Sequence, residues 1–513
     1  MASSLVRGRY VICRATGRDA AEIVRDGAVF QRDGVIEAIG PYEELRERYR
    51  ADEVLGGPGS VVCPGFVNSH HHVGVTPFQL GAPDYSLELW IVRRLGTRRV
   101  DPYLDTLYSA FEMLRSGVTT VQHLHGHFLH DPATWERTTD DVLRAYRDVG
   151  MRVSYSAGIV DQNRLVADEE RFLAGLDPGL REAVTALPGA TPPPVEEQLR
   201  ISYTDVVARW AGEAGGRVGV QLAPQNLHWC SDRALDALRE CSQRSGANLH
   251  MHLVETPYQK EYARRRTGRS AVRYLHERGL LGPAMTLGHA VWVTEDDIDL
   301  IRQTGAMICN NASSNLRLRS GIAPVNRFLE HGVRVALGMD EAGINDDRDM
   351  LQEMRVALNV HREPGMHTAV PTPTQVFQMA TENGARTTAF GERIGTLEPG
   401  RLADLVVLDW GQMSRPYLDA DVSVVDALVH RGKPEGVRAV MVNGEVVCRD
   451  GRVTTVDEEA ALAELSRRLA APLDEDERRR LDLALELCPR VVDFFRDWLR
   501  DDRTPFYAVN SRA

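Results

Sequence analysis

The chain has 513 residues, of which 43% are hydrophobic and 26% charged, and a formal net charge of −12. This length exceeds one average domain, the composition is typical of a globular protein, and the acidic balance argues against nucleic acid or an anionic membrane as the main partner. The sequence has no apolar run of about 18 residues, so we expect no transmembrane helix.

The cysteines and the N-terminus indicate the cytoplasm. The seven cysteines are scattered without a C-x-x-C spacing, which argues against a disulfide framework and against a thiolate zinc site. The N-terminus lacks the apolar core of a signal peptide. We therefore expect a cytoplasmic protein with a small-molecule substrate.

Short strands predominate in both flanks of the chain. In residues 1–62, the stretch 35–39 alternates apolar and polar side chains after the turn Arg32-Asp33-Gly34. Residues 401–456 have the same character. The strands predicted there are 405–408, 440–444 and 445–448. Two strand-rich ends predict one small β-sandwich domain built from both flanks.

The middle of the chain, residues 63–400, alternates apolar strands with amphipathic helices. This alternation predicts an α/β fold, a (β/α)8 barrel of the TIM type, with a doubly wound sheet as the alternative. The eight predicted strands are one that ends at His70 and the stretches 118–123, 152–156, 217–222, 247–252, 285–289, 306–309 and 334–338.

Two further segments stand apart from that alternation. Residues 161–200 are polar and contain consecutive prolines, and they follow the third strand, so they form either an active-site lid or a passive insertion. Residues 457–513 predict a C-terminal helical extension. Its apolar stripe, which includes Phe495 and Trp498, is expected to pack on the parent domain or on a partner subunit, and we expect a homo-oligomer, a dimer or higher.

Polar side chains that bind metals recur at the ends of the predicted strands. His70 and His72 are two residues apart, so both project from one face of a strand, while His71 points away. Zinc needs three or four ligands, and the carboxyl ends of barrel strands meet at one face. Later strand ends supply His252, His289 and Asp340. The pattern therefore predicts a metal site.

These residues lie in a set of motifs by which the chain resembles the amidohydrolase superfamily, in particular its mononuclear branch of deaminases and triazine hydrolases. The motifs are PGFVNSHHH at 64–72, LHMHLVET at 249–256, LGH at 287–289, SSNLRLRSG at 313–321, LGMD at 337–340 and IGTLEPGRLAD at 394–404.

The resemblance implies a metal centre and its ligands. The ligands would be His70, His72, His252 and Asp340. The binuclear branch uses a carboxylated lysine on the fourth strand, and 217–222 has none, so one divalent ion is expected. Zinc is the default for histidine and carboxylate ligands, although iron or cobalt suits the same set.

The resemblance also implies catalytic roles for three side chains. A divalent metal lowers the pKa of a bound water to about 7. Asp340 would accept the water proton, and His289 would polarise the developing oxyanion. Glu255, three residues after His252, would protonate the ring nitrogen and the leaving amine, unless it is a salt-bridged surface carboxylate.

Candidate substrate contacts follow the first, second, fourth and eighth strands. They are Trp90, His125, Gln225, His228 and Glu341. His123, His125 and His127 share one face, so they are substrate contacts, a second ligand set or plain loop histidines. Glu341 stands where the family more often has a small residue, and it either accepts a substrate N–H or caps the next helix.

The function that follows is a metal-dependent hydrolase of the aminohydrolase type. A metal-bound hydroxide would displace an amine or a similar leaving group from a nitrogen heterocycle. The alternative is hydrolysis of an amide, urea or carbamate C–N bond at the same site. A non-catalytic relative is the least favoured reading, because such relatives lose metal ligands and this chain keeps them.

Overall fold

The computed structural model of the chain describes residues 3–127, 130–366, 370–499 and 506–507. Helices and strands alternate through the middle of the chain, and strands predominate at the flanks. Within the described ranges, no helix has the length and apolarity needed to cross a membrane.

The strands are, in chain order, β1 (Ser3–Ala15), β2 (Ala21–Arg32), β3 (Val35–Pro41), β4 (Glu53–Pro64), β5 (Phe66–His71), β6 (Val118–His125), β7 (Arg152–Ile159), β8 (Val218–Val220), β9 (Ala223–Pro224), β10 (Leu249–Leu253), β11 (Met285–His289), β12 (Met307–Asn310), β13 (Val335–Leu337), β14 (Leu405–Asp409), β15 (Val437–Val442), β16 (Glu445–Arg449) and β17 (Arg452–Val453).

The α-helices are α1 (Tyr42–Arg48), α2 (Leu87–Leu95), α3 (Pro102–Arg115), α4 (Trp135–Val149), α5 (Glu169–Ala174), α6 (Pro178–Thr185), α7 (Val195–Leu199), α8 (Asp205–Trp210), α9 (Asp232–Ser245), α10 (Pro257–Thr267), α11 (Ala271–Glu277), α12 (Glu295–Thr304), α13 (Ala312–Arg317), α14 (Val325–Glu330), α15 (Met350–Val360), α16 (Pro373–Ala380), α17 (Glu382–Arg386), α18 (Trp410–Ser414), α19 (Val424–Arg431), α20 (Glu458–Leu469) and α21 (Glu475–Phe495).

Parallel strands form the centre of the molecule. β5, β6, β7 and β8 pair in order, and so do β10, β11, β12 and β13. Parallel bridges join Leu222 to Leu249 and His71 to Asp340, so the two sets meet at both edges. Each strand predicted for residues 63–400 overlaps an observed strand. The arrangement is that of a mixed α/β protein and is consistent with a TIM-like barrel.

The two flanks of the chain form one sheet. Its eight strands run in the order β17-β16-β15-β14-β4-β1-β2-β3, and β14 of the C-terminal flank pairs antiparallel with β4 of the N-terminal flank. The eight strands form one continuous sheet. It curls so that Ala403 N–H donates to Gly34 O at 2.8 Å, and Gly444 N–H donates to Ala403 O at 3.0 Å.

A buried ion pair connects this sheet with the parallel strands. Arg152, at the start of β7, donates from Nε and Nη2 to the two carboxylate oxygens of Asp404 at 2.6 and 2.9 Å, and both side chains are at most 1% exposed. Charged groups buried this deeply must be paired, because an unpaired buried charge is costly.

Replacing Asp404 with asparagine is expected to lower the free energy of unfolding by about 3–5 kcal/mol, because it leaves the Arg152 guanidinium buried without a countercharge. Chemical denaturation of the variant and of the wild type measures the difference. Asp450→Asn, at a side chain 66% exposed, serves as the control. Equal losses in the two variants would contradict the role of the pair.

The C-terminal helix α21 packs on the parent domain, one of the two outcomes expected for it. Its buried residues Leu487, Val491 and Phe495 share an apolar cluster with Val92 of α2 and Phe172 of α5. The segment 161–200 therefore lies under α21 and carries short helices of its own. Except for residues 506–507, the extension beyond residue 499 lies outside the described residues.

Leu487→Ala is expected to cost about 2–5 kcal/mol of stability, since it leaves a cavity in a fully buried position. Leu485→Ala, on the same helix but 53% exposed, should stay within about 0.5 kcal/mol of the wild type. The denaturation midpoints of the pair measure this contrast. A small loss at Leu487 would mean that α21 is not docked in solution.

Candidate metal-dependent active site

Three imidazoles converge where β5 and β10 end. The Nε2 atoms of His70 and His72 lie 3.1 Å apart, and His252 Nε2 lies 3.1 Å from the first and 3.0 Å from the second. Their ligand atoms form a group compact enough to hold a metal ion. Strand alternation places His70 and His72 together, as the sequence predicted, and the neighbouring strand end adds His252.

The opposite nitrogens of these rings are already engaged. Nδ1 of His72 lies 2.6 Å from Leu124 O, and Nδ1 of His252 lies 2.8 Å from Gln225 O. A carbonyl only accepts, so each Nδ1 carries the proton and each Nε2 presents a free lone pair. His70 differs, since its Nδ1 meets His250 Nε2 at 2.9 Å. This donor set fits a divalent metal ion.

Asp340 lies beside this group and forms a second compact group with His70 and His289. Its Oδ1 lies 3.2 Å from His72 Nε2 and 3.6 Å from His70 Nε2, and its Oδ2 accepts from Ser314 Oγ at 2.5 Å. Burial alone would raise the pKa of Asp340, but the neighbouring imidazoles of His72 and His289 and the hydrogen bond from Ser314 hold that pKa below its usual range. The carboxylate is therefore ionised and available as a ligand or as a base.

The backbone is strained at these strand ends. Asp340 has a φ of 54° and His289 a φ of 68°, in the left-handed region that non-glycine residues rarely adopt. Such strain persists where surrounding contacts enforce it: Asp340 N–H donates to His70 O at 2.7 Å. The strain aims both side chains at the three imidazoles.

Glu255 lies on the other side of His289. It is 2% exposed, so it is not a surface carboxylate. Its Oε1 accepts from Ser320 Oγ at 3.0 Å, and its Oε2 lies 3.7 Å from His289 Nε2. Burial raises the pKa of Glu255. A carboxyl group whose pKa is raised in this way holds a proton more readily and can deliver it, as a general acid must.

One cavity of about 480 Å³ contains these groups. It is lined by His72, His252, Glu255, His289 and Asp340. Of the predicted substrate contacts, Trp90, His125, Gln225 and Glu341 also line it. His228 is not among the lining residues; it is buried, and its ring contacts those of Trp229 and Tyr262.

Glu341 forms an ion pair across the cavity wall. Its Oε1 accepts from Arg94 Nη1 at 2.9 Å, while its buried Oε2 has no hydrogen-bond partner among the described residues. The reading of Glu341 as a helix cap is wrong, because Asp349 caps α15 by accepting from Gln352 N–H. Its free oxygen remains available to a substrate donor.

His123 and His125 lie at the end of β6, His127 follows it, and the environments of the three rings differ. His123 Nδ1 lies 2.9 Å from the Tyr146 hydroxyl, and His127 stacks on Trp135 with ring centroids 4.5 Å apart. Burial lowers the pKa of all three, that of His125 to about 3. Within the described ranges, none of them belongs to a group compact enough to hold a metal.

Sequence reasoning missed the side chains that hold the predicted ones in place. His289 Nδ1 lies 2.9 Å from Asn315 Oδ1, and Ser314 and Ser320 hold the two carboxyl groups. Ser314, Asn315 and Ser320 all lie in the motif 313–321, for which the sequence alone indicated no individual residue roles. His71 is buried away from the three Nε2 atoms, as predicted, with its ring 5.5 Å from that of His123.

Comparison with known families and proteins gives a consistent result. The model of the amidohydrolase family matches residues 61–447. A 5'-deoxyadenosine deaminase of Methanosarcina acetivorans is 32% identical over 470 residues, 90% of this chain and 97% of the relative. A 5-methylthioadenosine/S-adenosylhomocysteine deaminase of Desulforudis audaxviator is 32% identical over 469 residues, 90% of this chain and 97% of the relative.

Two solved structures share the fold. An adenosine deaminase from Xanthomonas campestris with bound zinc has a TM-score of 0.75 at 23% identity and covers 91% of this chain and 98% of its own. An atrazine chlorohydrolase from Arthrobacter aurescens complexed with zinc has a TM-score of 0.78 at 21% identity and covers 91% of this chain and 100% of its own.

Proposed function

The chain belongs to the amidohydrolase family and is a hydrolase that acts on carbon–nitrogen bonds, and from this premise we propose that it removes an amino group from a nitrogen heterocycle with one divalent metal ion. The observation that carries the proposal is the convergence of three imidazole Nε2 atoms beside two buried carboxyl groups in one cavity. The deaminase relatives make a 6-aminopurine nucleoside the first substrate to test.

His70, His72, His252 and Asp340 would hold the metal, which we propose to be zinc because imidazole and carboxylate ligands suit it. When bound, such an ion lowers the pKa of water to about 7 and supplies a nucleophile at neutral pH. The ordered Nδ1 hydrogen bonds of His72 and His252 keep both rings oriented for this role.

The remaining steps are proton transfers by the chain's own groups. Asp340 accepts a proton from the attacking water. Glu255, in its protonated form, protonates the ring nitrogen as the carbon becomes tetrahedral. Asp340 then passes the proton taken from water to the departing amine, and Glu255 recovers a proton from the added hydroxyl group as the carbonyl forms. His289, between the two carboxyl groups, stabilises the charge that develops on the oxygen. Water and the amino heterocycle thus give the oxo heterocycle and ammonia.

The same proposal assigns the parts of the chain. Residues 63–400 form the catalytic barrel, residues 1–62 and 401–456 the composite β-sandwich domain, and residues 457–513 the C-terminal extension. The closed ring of parallel strands and the β4–β14 pairing support this division. We propose a cytoplasmic homodimer, which the exposed apolar side chains Leu485 and Val492 on α21 support.

An assay of ammonia release tests the proposed function. The metal-loaded enzyme is offered adenosine, 5'-deoxyadenosine, 5-methylthioadenosine and guanine, and amine release is followed in parallel from phenylureas and carbamates. We expect ammonia from at least one amino heterocycle and its loss on chelation. Release from ureas or carbamates alone would instead support hydrolysis of an acyclic C–N bond, and no release from either panel would contradict both.

A further inference from the structure

The cavity has a cationic region that the proposed chemistry does not use. Six arginines line it. Four of these act on one histidine of the cavity: Arg94 and Arg99 from α2 and the turn after it, Arg164 from the segment after β7, and Arg480 from α21. The four lie close enough together that, after burial, their charges are what lowers the pKa of His130 to about 4. His130 lines the same cavity.

Arg164 is buried without a full set of partners. Its side chain belongs to a residue only 5% exposed, and its Nε and Nη1 atoms have no hydrogen-bond partner among the described residues. Glu169, whose charge acts on Arg164, uses its oxygens on the backbone N–H groups of Arg164 and Leu165, at 2.7 and 3.3 Å. A buried guanidinium with unmet donors is costly unless a ligand satisfies them.

Other buried arginines of this chain have more of their donors paired. Arg152 has both oxygens of Asp404, and Arg348 contacts Glu112 and two backbone carbonyls. Among the described residues, Arg348 and Arg217 each leave only Nε without a partner, whereas Arg164 leaves both Nε and Nη1.

Arg480 reaches the cavity from outside the family match, which ends at residue 447. It is 8% exposed, its Nε donates to Asp476 Oδ2 at 3.1 Å, and its Nη1 donates to Leu95 O at 3.2 Å and to Thr97 O at 3.1 Å, which fixes the guanidinium against α2. Its buried Nη2 has no partner among the described residues. A fixed guanidinium with a free donor is arranged to receive an oxyanion.

The carboxylates that line the cavity are engaged elsewhere. Asp105 accepts from Gly74 and Val75 N–H at 2.8 and 2.6 Å, and Asp131 accepts from Ala133 N–H at 3.0 Å. Glu341 accepts from Arg94, and Glu255 and Asp340 belong to the metal end. None of these hydrogen bonds satisfies the free donors of Arg164 or Arg480.

We propose that Arg164 and Arg480 form a subsite for an anionic group of the substrate, a carboxylate or a phosphate, held in the same cavity as the heterocycle. The inference rests on the proposed function for the identity of the rest of the substrate. Arg99, whose side chain is 53% exposed, pairs with Asp476 at 3.8 Å and lies outside the subsite. The C-terminal extension therefore takes part in substrate choice, because it supplies one of the two buried guanidinium groups.

Anion binding tests the subsite without any turnover. Inorganic phosphate and acetate are titrated into the metal-loaded enzyme at constant ionic strength, with calorimetry and thermal shift as readouts. We expect at least one of the two anions to bind the wild type. Whether phosphate or acetate binds shows whether the subsite accepts a phosphate or a carboxylate group. In Arg164→Gln the affinity should fall by at least about tenfold, because a charged hydrogen-bond donor is lost. Arg164→Lys should recover part of the lost anion affinity.

The melting temperature of the anion-free protein separates a ligand site from a structural role. Arg164→Gln should melt at the same temperature as the wild type or higher, since it removes a buried charge with unmet donors. Arg480→Gln is expected to lose affinity as well, whereas Arg479→Gln, on the same helix with a side chain 76% exposed, should bind anions like the wild type. Anion binding unchanged in Arg164→Gln, or absent in the wild type, would overturn the subsite.

Turnover then connects the subsite to the substrate. For a pair of 6-aminopurine nucleosides with and without an anionic 5' substituent, Arg164→Gln should lower kcat/KM about tenfold for the anionic member only. Equal losses for both members would overturn the subsite. If no heterocycle releases ammonia but phosphate or acetate binding still depends on Arg164, the proposed function fails and the subsite stands.

Discussion

Replacing His252 with alanine is expected to remove the bound metal and to lower the rate of ammonia release by more than about a thousandfold, since the nucleophile is no longer generated at neutral pH. His252 Nε2 lies within 3.1 Å of Nε2 of both His70 and His72. Its loss therefore leaves the metal with three of its four proposed ligands. Elemental analysis of the purified variant and an ammonia assay with the identified substrate measure the two effects.

Two further histidines make this experiment specific. His276→Ala, at an exposed position on α11, should keep the metal and the rate. His250→Ala should fall between them, because His250 Nε2 contacts His70 Nδ1 at 2.9 Å and only orients that ring, an effect of about ten- to a hundredfold. Full turnover in His252→Ala would mean that the reaction does not depend on a metal at this site.

The sequence was sufficient for the elements that local patterns determine. Runs such as 285–289 and 118–123 have the length and apolarity of buried strands, and the histidines at their ends follow from strand alternation. The position of His252 beside His70 and His72 needed one more assumption, that parallel strands place their carboxyl ends at one face. The structure brings these residues together as expected.

What the sequence could not predict depends on contacts between distant segments. The partner of Glu341 is Arg94, 247 positions away, and nothing near either residue indicates the other. His228 follows β9 in a pattern that suggested a cavity contact, but packing against Trp229 and Tyr262 takes its ring away from the cavity. Arg164 and Arg480 line the same cavity because α21 packs on the segment 161–200.

Replacing Glu255 with glutamine is expected to lower kcat by about 10²–10⁴-fold while the metal content stays at the wild-type level. Glu255 is not among the residues that converge on the metal position, so only proton transfer is lost. Glu277→Gln, at an exposed side chain paired with Arg269, is the control and should leave kcat unchanged. Steady-state kinetics and elemental analysis on the same preparations give both numbers.

The pH dependence of kcat/KM identifies the proton-transferring group more specifically than the rate at a single pH does. Glu255 must hold a proton to deliver it to the ring nitrogen, so kcat/KM should fall as the pH rises through its pKa. Burial raises that pKa, whereas the hydrogen bond donated by Ser320 lowers it. Ser320→Ala should therefore move the alkaline limb of the profile to higher pH, and Glu255→Gln should remove the limb. A limb that stays in place in both variants would assign the proton transfer to another group, with Asp340 the remaining carboxylate in reach of His289.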